Sequence, residues 1–489
     1  MPSSDNVVQH GPPKTVGFSL LLHNTGMAMA GGLVSQTLKV LVLIYVARVY
    51  GPAEFGSFSF AYSVYAFLYV VSQFGLPTFA AREVTQTQRL DPRLFKSISE
   101  ARLLLAVFST VVALLVLSLI PQVSREELYL VAGFGLSNVA LAFFSDWVFQ
   151  GLGKLHGWAA LNIIWQGSWL FLTFLAVRLG ASIRIVSFAF AAGALMAASA
   201  GWVWCRRNLR VDGESSEPRY LLRNVLKEGT HLGTGTMLQT FLVWIDIIVV
   251  RMLLGPHSAG LYAAGNRIAL GSGMLAGFYM QGAFPLLSRS ALEDPANYQR
   301  TFQQAYNNLS ATFVPAALWG IFYAPEILDL IYKRQEYLAA APVFRVFQLV
   351  LLLTTFGIGL YGLGVLLAFR QDRTYQRGFA SASLAYVVLC PIGAWHWGIT
   401  GAAAAALVVQ VILFVLFEIQ VRRFVVPRHA EALFLPSLLG LAAAALARLL
   451  HLSVFPALTL LALAYGVLGV HHLRVVNWRP FGEDESQTT

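Results

Sequence analysis

The sequence predicts an all-α polytopic membrane protein of about fourteen transmembrane helices, built as two six-span halves followed by a C-terminal helix pair. Three observations predict it. Of the 489 residues, 57% are hydrophobic and only 12% charged, and the charged share is roughly half that of a soluble domain. The apolar residues fall into runs long enough to cross a bilayer, which takes about 20 residues each. A sequence pattern in the first half also recurs in the second, as a duplicated half would leave it.

Apolar runs bounded by polar or Gly/Pro punctuation place spans near 29–49, 57–77, 101–120, 127–150, 158–179, 184–205, 233–254, 258–284, 305–324, 343–369, 378–396, 400–421, 433–451 and 453–473. An even number of spans puts both termini on one side. With that side cytoplasmic, 23 of the 34 Lys/Arg lie on cytoplasmic loops or span ends and eight outside. Basic residues collect in cytoplasmic loops, so the net charge of +10 reads as topology rather than as a nucleic-acid-binding surface. The densest cluster, Arg206, Arg207, Arg210, Arg219, Arg223 and Lys227, falls between spans six and seven. The polar N-terminal stretch with its single Lys14 has no small-residue cleavage site, so the first span is expected to remain as structure.

The polar loop at 206–228 is the natural linker between the halves. It divides the chain into an N-lobe at 1–212, a linker and C-lobe at 213–424, and a final helix pair with tail at 425–489. The repeat supports this division. Gly51-Pro52 with Gly56 and Phe58 joins spans one and two, and Gly255-Pro256 with Gly260 and Tyr262 joins spans seven and eight, 204 residues later. Arg48 and Arg251 precede the two turns closely, and at the same offset Ser35-Gln36 falls on Gln239-Thr240.

Several apparent chemical motifs carry no chemistry. Gly357, Gly359 and Gly362 match a dinucleotide fingerprint, but they lie within span ten with no preceding strand, where close helix packing explains them. Gly151, Gly153 and Lys154 lack the spacing of a phosphate loop, and the glycosylation sequon at Asn308 lies inside a span. Cys205 and Cys390 are too far apart in sequence for a paired-cysteine metal site. No metal-ligating or nucleophile motif emerges, and His471-His472 reads as an interfacial pair. Nothing points to an enzyme or a cofactor.

Charges placed inside the membrane are costly and therefore point to function. Lys39 lies near the middle of span one. Asp246 and Arg267 each lie about ten residues from the turn at Pro256-His257, so they should reach similar depth on neighbouring helices. They are expected to pair, either as a structural tie or within a site. Asp146 and Glu418 lie nearer span ends, and Arg48 and Arg251 read as interfacial anchors that snorkel. Cations with few carboxylates suit a phosphate-bearing substrate. Tyr62, Tyr65 and Tyr69 share one face of span two, where they can stack on a sugar or simply pack.

The segment from Tyr45 through Arg48, Gly51 and Gly56, the run Asp146-Trp147 to Gln150, Gly151, Gly153 and Lys154, the stretch from Asp246 to Tyr262, and Ala324-Pro325-Glu326-Ile327 leading to Glu336-Tyr337 occur in an order that resembles one family. It is the Wzx-type polysaccharide flippases of the multidrug/oligosaccharidyl-lipid/polysaccharide (MOP) exporter superfamily. The resemblance implies two pseudo-symmetric six-helix lobes around a central cavity. It also implies movement of an undecaprenyl-diphosphate-linked oligosaccharide (an O-antigen, capsule or exopolysaccharide repeat unit) from the cytoplasmic to the periplasmic leaflet of a bacterial inner membrane by alternating access. The polysaccharide polymerase and glycosyltransferases of the same pathway would be its partners, with membrane lipids around it.

Under that reading the substrate cavity would be lined by Lys39, Arg267, Asp246, Gln36, Gln239, Tyr62, Tyr65 and Tyr69. Related branches flip the peptidoglycan lipid precursor or export drugs in exchange for ions. The drug-exporting branch usually carries an acidic residue in the first lobe's cavity, where this chain offers Lys39. A membrane glycan polymerase or ligase is a further alternative, but it needs a sizeable external loop, and the connection at 324–342 is only a short amphipathic helix. Spans thirteen and fourteen offer either an apolar groove for a polyprenyl tail or packing against a lobe.

Overall fold

A computed structural model describes residues 18–87, 90–208, 222–293 and 295–475. The 206–228 linker lies largely outside the described residues, as do the side chains of His471 and His472. Every regular element among the described residues is helical. The first is α1 (Phe18–Gln73), whose apolar part is 44 residues long, about twice what a bilayer needs. It breaks at Gly51, where φ is 83° and ψ 177°. That backbone conformation is open almost only to glycine, and Pro52 then starts the second arm with its φ already set for a helix. The longer α8 (Leu222–Glu293) repeats the device at Gly255, with φ 86° and ψ 175°, followed by Pro256. The third double span, α12 (Asp372–Val421), turns at Trp397 and Gly398.

Among the described residues eight helices are long and apolar enough to cross a membrane, three of them these double spans, and the α9–α10 pair makes a ninth; the helical architecture is that which the sequence predicts. In the N-lobe, α2 (Leu76–Thr87), an amphipathic helix the sequence did not reveal, leads to α3 (Pro92–Ser118), α4 (Arg125–Leu141), the short α5 (Asp146–Gly151), α6 (Leu155–Arg178) and α7 (Ile183–Asn208). In the C-lobe, α9 (Pro295–Phe322) bends by 83° into α10 (Ala324–Tyr332), and α11 (Ala341–Thr354) runs on as a π-helix at Thr355–Leu367. The glycines of the false dinucleotide fingerprint lie on that π-helix, packed against Phe414, Met280 and Tyr375. The chain closes with α13 (His429–Leu449) and α14 (Val454–Val475).

Sequence locates the helix starts. Asp91 caps α3 by accepting from the Arg93 amide at 2.7 Å. Ser124 and Glu127 cap α4 reciprocally, each side chain satisfying the other's backbone donor. Span four is not continuous: α4 stops at Leu141 and α5 begins at Asp146. The carbonyls freed there need donors, and buried Arg102 supplies them, bonding Phe144 O at 2.8 Å and Leu141 O at 2.5 Å. Arg102→Leu is therefore expected to lower N-lobe stability by about 3 kcal/mol, because two buried acceptors lose a charged donor. Resistance to detergent unfolding measures it, and a wild-type unfolding midpoint would refute this role.

The repeat becomes contact geometry where the lobes meet. A Cβ placed on Gly56 would lie 1.8 Å from the carbonyl oxygen of Pro256, and one placed on Gly260 would lie 1.8 Å from that of Pro52. The two turns thus pack on one another reciprocally, each glycine against the other lobe's proline, as a pseudo-twofold axis requires. The neighbouring arginines do not merely snorkel, which corrects the sequence reading. Arg48 donates to the carbonyls of Ile331 and Leu330, while Arg334 donates back to those of Arg48 and Val49 at 2.7 and 2.6 Å. Arg251 crosses the other way and pairs with buried Glu127 through Nε and Nη2 at 2.5 and 2.8 Å. Each lobe grips the other's turn.

The C-terminal pair does not hang free. Helix α13 lies along α9, with Gly440 against Pro315 and Leu318. At one end Arg448 binds Glu326 at 2.5 Å, and at the other His429 joins Tyr306 at 2.8 Å and Glu418 at 3.0 Å. Of the two roles open to spans thirteen and fourteen, α13 takes lobe packing.

Candidate substrate site between the lobes

The residues singled out by intramembrane charge lie on the first arm of α1 and the two arms of α8, helices that pack closely together. Lys39 is half-buried, and its neighbours in sequence lean on different lobes, Leu38 towards Gly167 of α6 and Val40 towards Gly271 of α8. It has no ion-pair or hydrogen-bond partner among the described residues. Gln36 lies three residues earlier on the same helix face, with its Oε1 buried and unpartnered. Arg267, from the opposite lobe, comes within electrostatic reach of Lys39.

Arg267 is held by aromatic faces rather than by a carboxylate. Its guanidinium lies 4.1 Å from the Trp244 ring centroid and 5.8 Å from that of Tyr62, and those two rings meet edge to face at 5.4 Å. Stacking uses the flat face of a guanidinium and leaves its in-plane N–H groups free. One of them, Nη2, is buried without a hydrogen-bond partner among the described residues.

The expected Asp246–Arg267 ion pair does not form among the described residues. Asp246, 2% exposed, instead accepts from the Tyr262 hydroxyl at 2.8 Å, Asn266 Nδ2 at 3.1 Å and the Ile247 amide at 2.8 Å. Asn266, next to Arg267, reaches Asp246, so the two arms are level there, but azimuth decides contact. Successive residues of an α-helix point about 100° apart, so with Asn266 turned to Asp246, Arg267 faces away from it towards Tyr62 of the N-lobe. Asp246 is thereby held by hydrogen bonds within its own lobe, within electrostatic reach of Arg267 but not in contact with it, and the two cations keep no carboxylate in direct contact among the described residues.

Tyr62 and Tyr65 are buried in the N-lobe core among Phe58, Phe134, Trp169 and Phe190, so packing accounts for most of their ring surface. Tyr69 is half-buried beside Tyr65, and Gln239 is exposed. Sequence reasoning missed Trp244. The signal was present two residues before Asp246, an aromatic within a span that also bears a charge. The arrangement has two cations from opposite lobes with no carboxylate in direct contact among the described residues, an amide beside one of them and an aromatic backing for the other, which also lies within electrostatic reach of Asp246. Donors of this kind can hold an anionic oxygen cluster. No group of His, Cys, Asp and Glu among the described residues could hold a metal.

Comparison with solved structures places the fold. The structure of "Lipid II flippase MurJ, inward closed conformation" superposes with a TM-score of 0.76, covering 92% of this chain and 99% of that one at 14% identity. An inward-facing multidrug resistance MATE family transporter of the MOP superfamily gives a TM-score of 0.61 at 13% identity, covering 80% of this chain and 95% of the other. A MOP superfamily transporter from Pyrococcus furiosus gives 0.55 at 14% identity, covering 82% and 96%. In sequence, the chain is 21% identical over 242 residues to the putative O-antigen transporter of Escherichia coli (strain K12). That alignment takes in 47% of this chain and 56% of the relative, so it spans little more than half of that protein. The family model described as polysaccharide biosynthesis protein matches residues 21–291, more than half of the chain, a stretch that contains Lys39, Trp244 and Arg267. With more than half of its length matched by that model, the chain belongs to the polysaccharide biosynthesis protein family.

Proposed function

We propose that the protein is a flippase that moves an undecaprenyl-diphosphate-linked oligosaccharide, an O-antigen, capsule or exopolysaccharide repeat unit, from the cytoplasmic to the periplasmic leaflet of a bacterial inner membrane. The observation that carries this reading is that Lys39 and Arg267, from opposite lobes, lie within electrostatic reach of one another, with neither in direct contact with a carboxylate among the described residues. Two cations held close in low dielectric repel one another. A diphosphate between them removes that repulsion and supplies acceptors for donors that are otherwise unspent. Gln36 adds an amide, and Trp244 and Tyr62 fix the guanidinium plane.

In this reading the reciprocal turns at Gly51 and Gly255 form the closed periplasmic side, and both termini and the 206–228 linker are cytoplasmic. Transport runs by alternating access: the substrate enters from the cytoplasmic leaflet, the turns part, and the diphosphate leaves on the other side. The relative named as an O-antigen transporter and the family match support the substrate class. The glycosyltransferases and polymerase that build and use such units would be functional partners.

The test is leaflet exchange in proteoliposomes, with fluorescent undecaprenyl-diphosphate oligosaccharide in one arm, lipid II in a second and a cationic drug in a third. Exchange of the oligosaccharide lipid well above the other two is the expected result. Selective exchange of lipid II, or transport of the cation alone, would overturn the reading.

A further inference from the structure

A second cationic site lies at the end of the bundle away from the lobe contact. Helix α9 ends at Phe322, and α13 carries Arg448 against Glu326 near its own end, close to the α10 segment that clasps the Gly51 turn. Both helices therefore begin on the opposite side. Their beginnings are tied together. Gln299 exchanges two hydrogen bonds with the backbone of Val426 at 2.9 and 3.0 Å, and Gln303 two with that of Arg428 at 3.3 and 3.2 Å. The side chains of α9 thus treat the segment before α13 as a strand edge and hold it rigid.

Beside this brace is a cavity of about 230 Å³ lined by Gln299, Arg300, Gln303, Gln304, Asn307 and Arg428. Two guanidinium groups and four carboxamides line it, and no carboxylate does. Arg300 has no ion-pair or hydrogen-bond partner among the described residues. Arg428 reaches only Glu431, at 3.3 Å with both side chains exposed. Arg428 is also the residue preceding α13, and it makes no side-chain cap, so the first amides of that helix have no side-chain acceptor from it. The start of α13, where Glu431 of the first turn holds Arg428 only at the exposed surface, thus borders a recess lined by both Arg428 and Arg300.

The geometry points to a binding site for the phosphate of a membrane lipid whose headgroup carries net negative charge, distinct from the Lys39–Arg267 site and independent of it. The recess lies where two spans begin, at headgroup depth. Further along α13, the exposed side chains of Phe434, Leu438 and Leu441 share one helix face, on which an acyl or prenyl chain can lie. Guanidinium groups suit this ligand because they bind phosphate oxygens bidentately. The phosphate can belong to an anionic glycerophospholipid of that leaflet or to the polyprenyl diphosphate carrier waiting there before transport.

The test is lipid binding to the intact, delipidated protein by native mass spectrometry, with dioleoylphosphatidylglycerol, undecaprenyl diphosphate and dioleoylphosphatidylcholine as probes. The double variant Arg300→Gln/Arg428→Gln should weaken binding of a phosphate lipid by about tenfold or more, the loss expected for a charged hydrogen bond. Gln304→Glu, which puts a carboxylate in the recess and leaves both arginines, should weaken it as well. A loss confined to phosphatidylglycerol identifies the glycerophospholipid, and a larger loss for undecaprenyl diphosphate identifies the carrier. Unchanged binding of both in variants that keep the wild-type melting temperature overturns the proposal. So does an equal loss for phosphatidylcholine, whose headgroup carries no net charge.

Discussion

Replacing Gly56 with alanine is expected to open the side of the protein on which the lobes touch. The new Cβ would fall 1.8 Å from the Pro256 carbonyl oxygen and 2.7 Å from the Gly260 amide nitrogen, both backbone atoms of the opposite lobe. No rotamer relieves that overlap, so the lobes must separate or the helices must bend. Overpacking of this kind costs about 1–3 kcal/mol, and it falls on the closed arrangement alone, since parted lobes leave the space free. One to two kcal/mol changes a two-state ratio by a factor of about 5–30. A cysteine at Ala259, fully buried in the closed contact, reads the change. Its labelling rate from outside should rise by about that factor while the N-lobe and C-lobe stay folded. Gly260→Ala should act alike, because it meets Pro52 in the same way. An unchanged labelling rate in both variants would mean that this contact does not set the closed state.

Glu127→Gln should destabilise the closed protein by about 3–5 kcal/mol, the usual cost of stranding one member of a buried ion pair. The substitution isolates the charge. Glutamine at this position still completes a capping box with Ser124, so the start of α4 is preserved while Arg251 loses the carboxylate that meets its Nε and Nη2. Arg251 then keeps only the Gln122 carbonyl, at 3.0 Å. Adding Arg251→Met removes the stranded cation, and the double variant should recover a substantial part of the lost stability. Fluorescence-detected thermal unfolding in detergent makes the comparison. If the single variant melts at the wild-type temperature, the pair does not hold the lobes. If the double variant is worse than both singles added together, charge stranding is not the cause.

Both effects depend on features that the sequence shows to different degrees. The paired Gly-Pro turns were legible because a positive φ in a span demands glycine, and the same demand recurs in each half at Gly51 and Gly255. Their mutual contact was not, since a repeat says that two segments are alike and not that they touch. Arg251 could be placed near a membrane surface, but its partner Glu127 lies 124 residues away in the other lobe, and nothing in local periodicity links them. The depth of Asp246 and Arg267 followed from counting residues from the turn. Their failure to pair follows from helix phase, which a count of ten residues along each arm does not fix well enough to tell Asn266 from Arg267. Tyr62 and Tyr65 share the phase that the sequence gives, but which side of that face is core depends on the Phe134 and Phe190 of helices distant in sequence. The π-helix at Thr355–Leu367 has no separate sequence signature, since its glycine-rich run serves equally for a tightly packed α-helix.

The central claim is that Lys39 and Arg267 together hold the diphosphate of the substrate, and the most direct measurement is leaflet exchange per folded molecule in Lys39→Ala, Arg267→Gln and the double variant. Membrane protein levels are matched first, because deleting an unpaired cation should leave insertion intact. Each single substitution removes one charge-assisted contact, worth about 1.5–3 kcal/mol, so exchange of undecaprenyl-diphosphate oligosaccharide at limiting substrate should fall by roughly tenfold to a hundredfold. Lys39→Arg, which keeps the charge but changes its shape, should retain part of the rate. The double variant is expected to lose exchange almost entirely while its melting temperature stays near that of the wild type. Exchange by the folded double variant at the wild-type rate would contradict it.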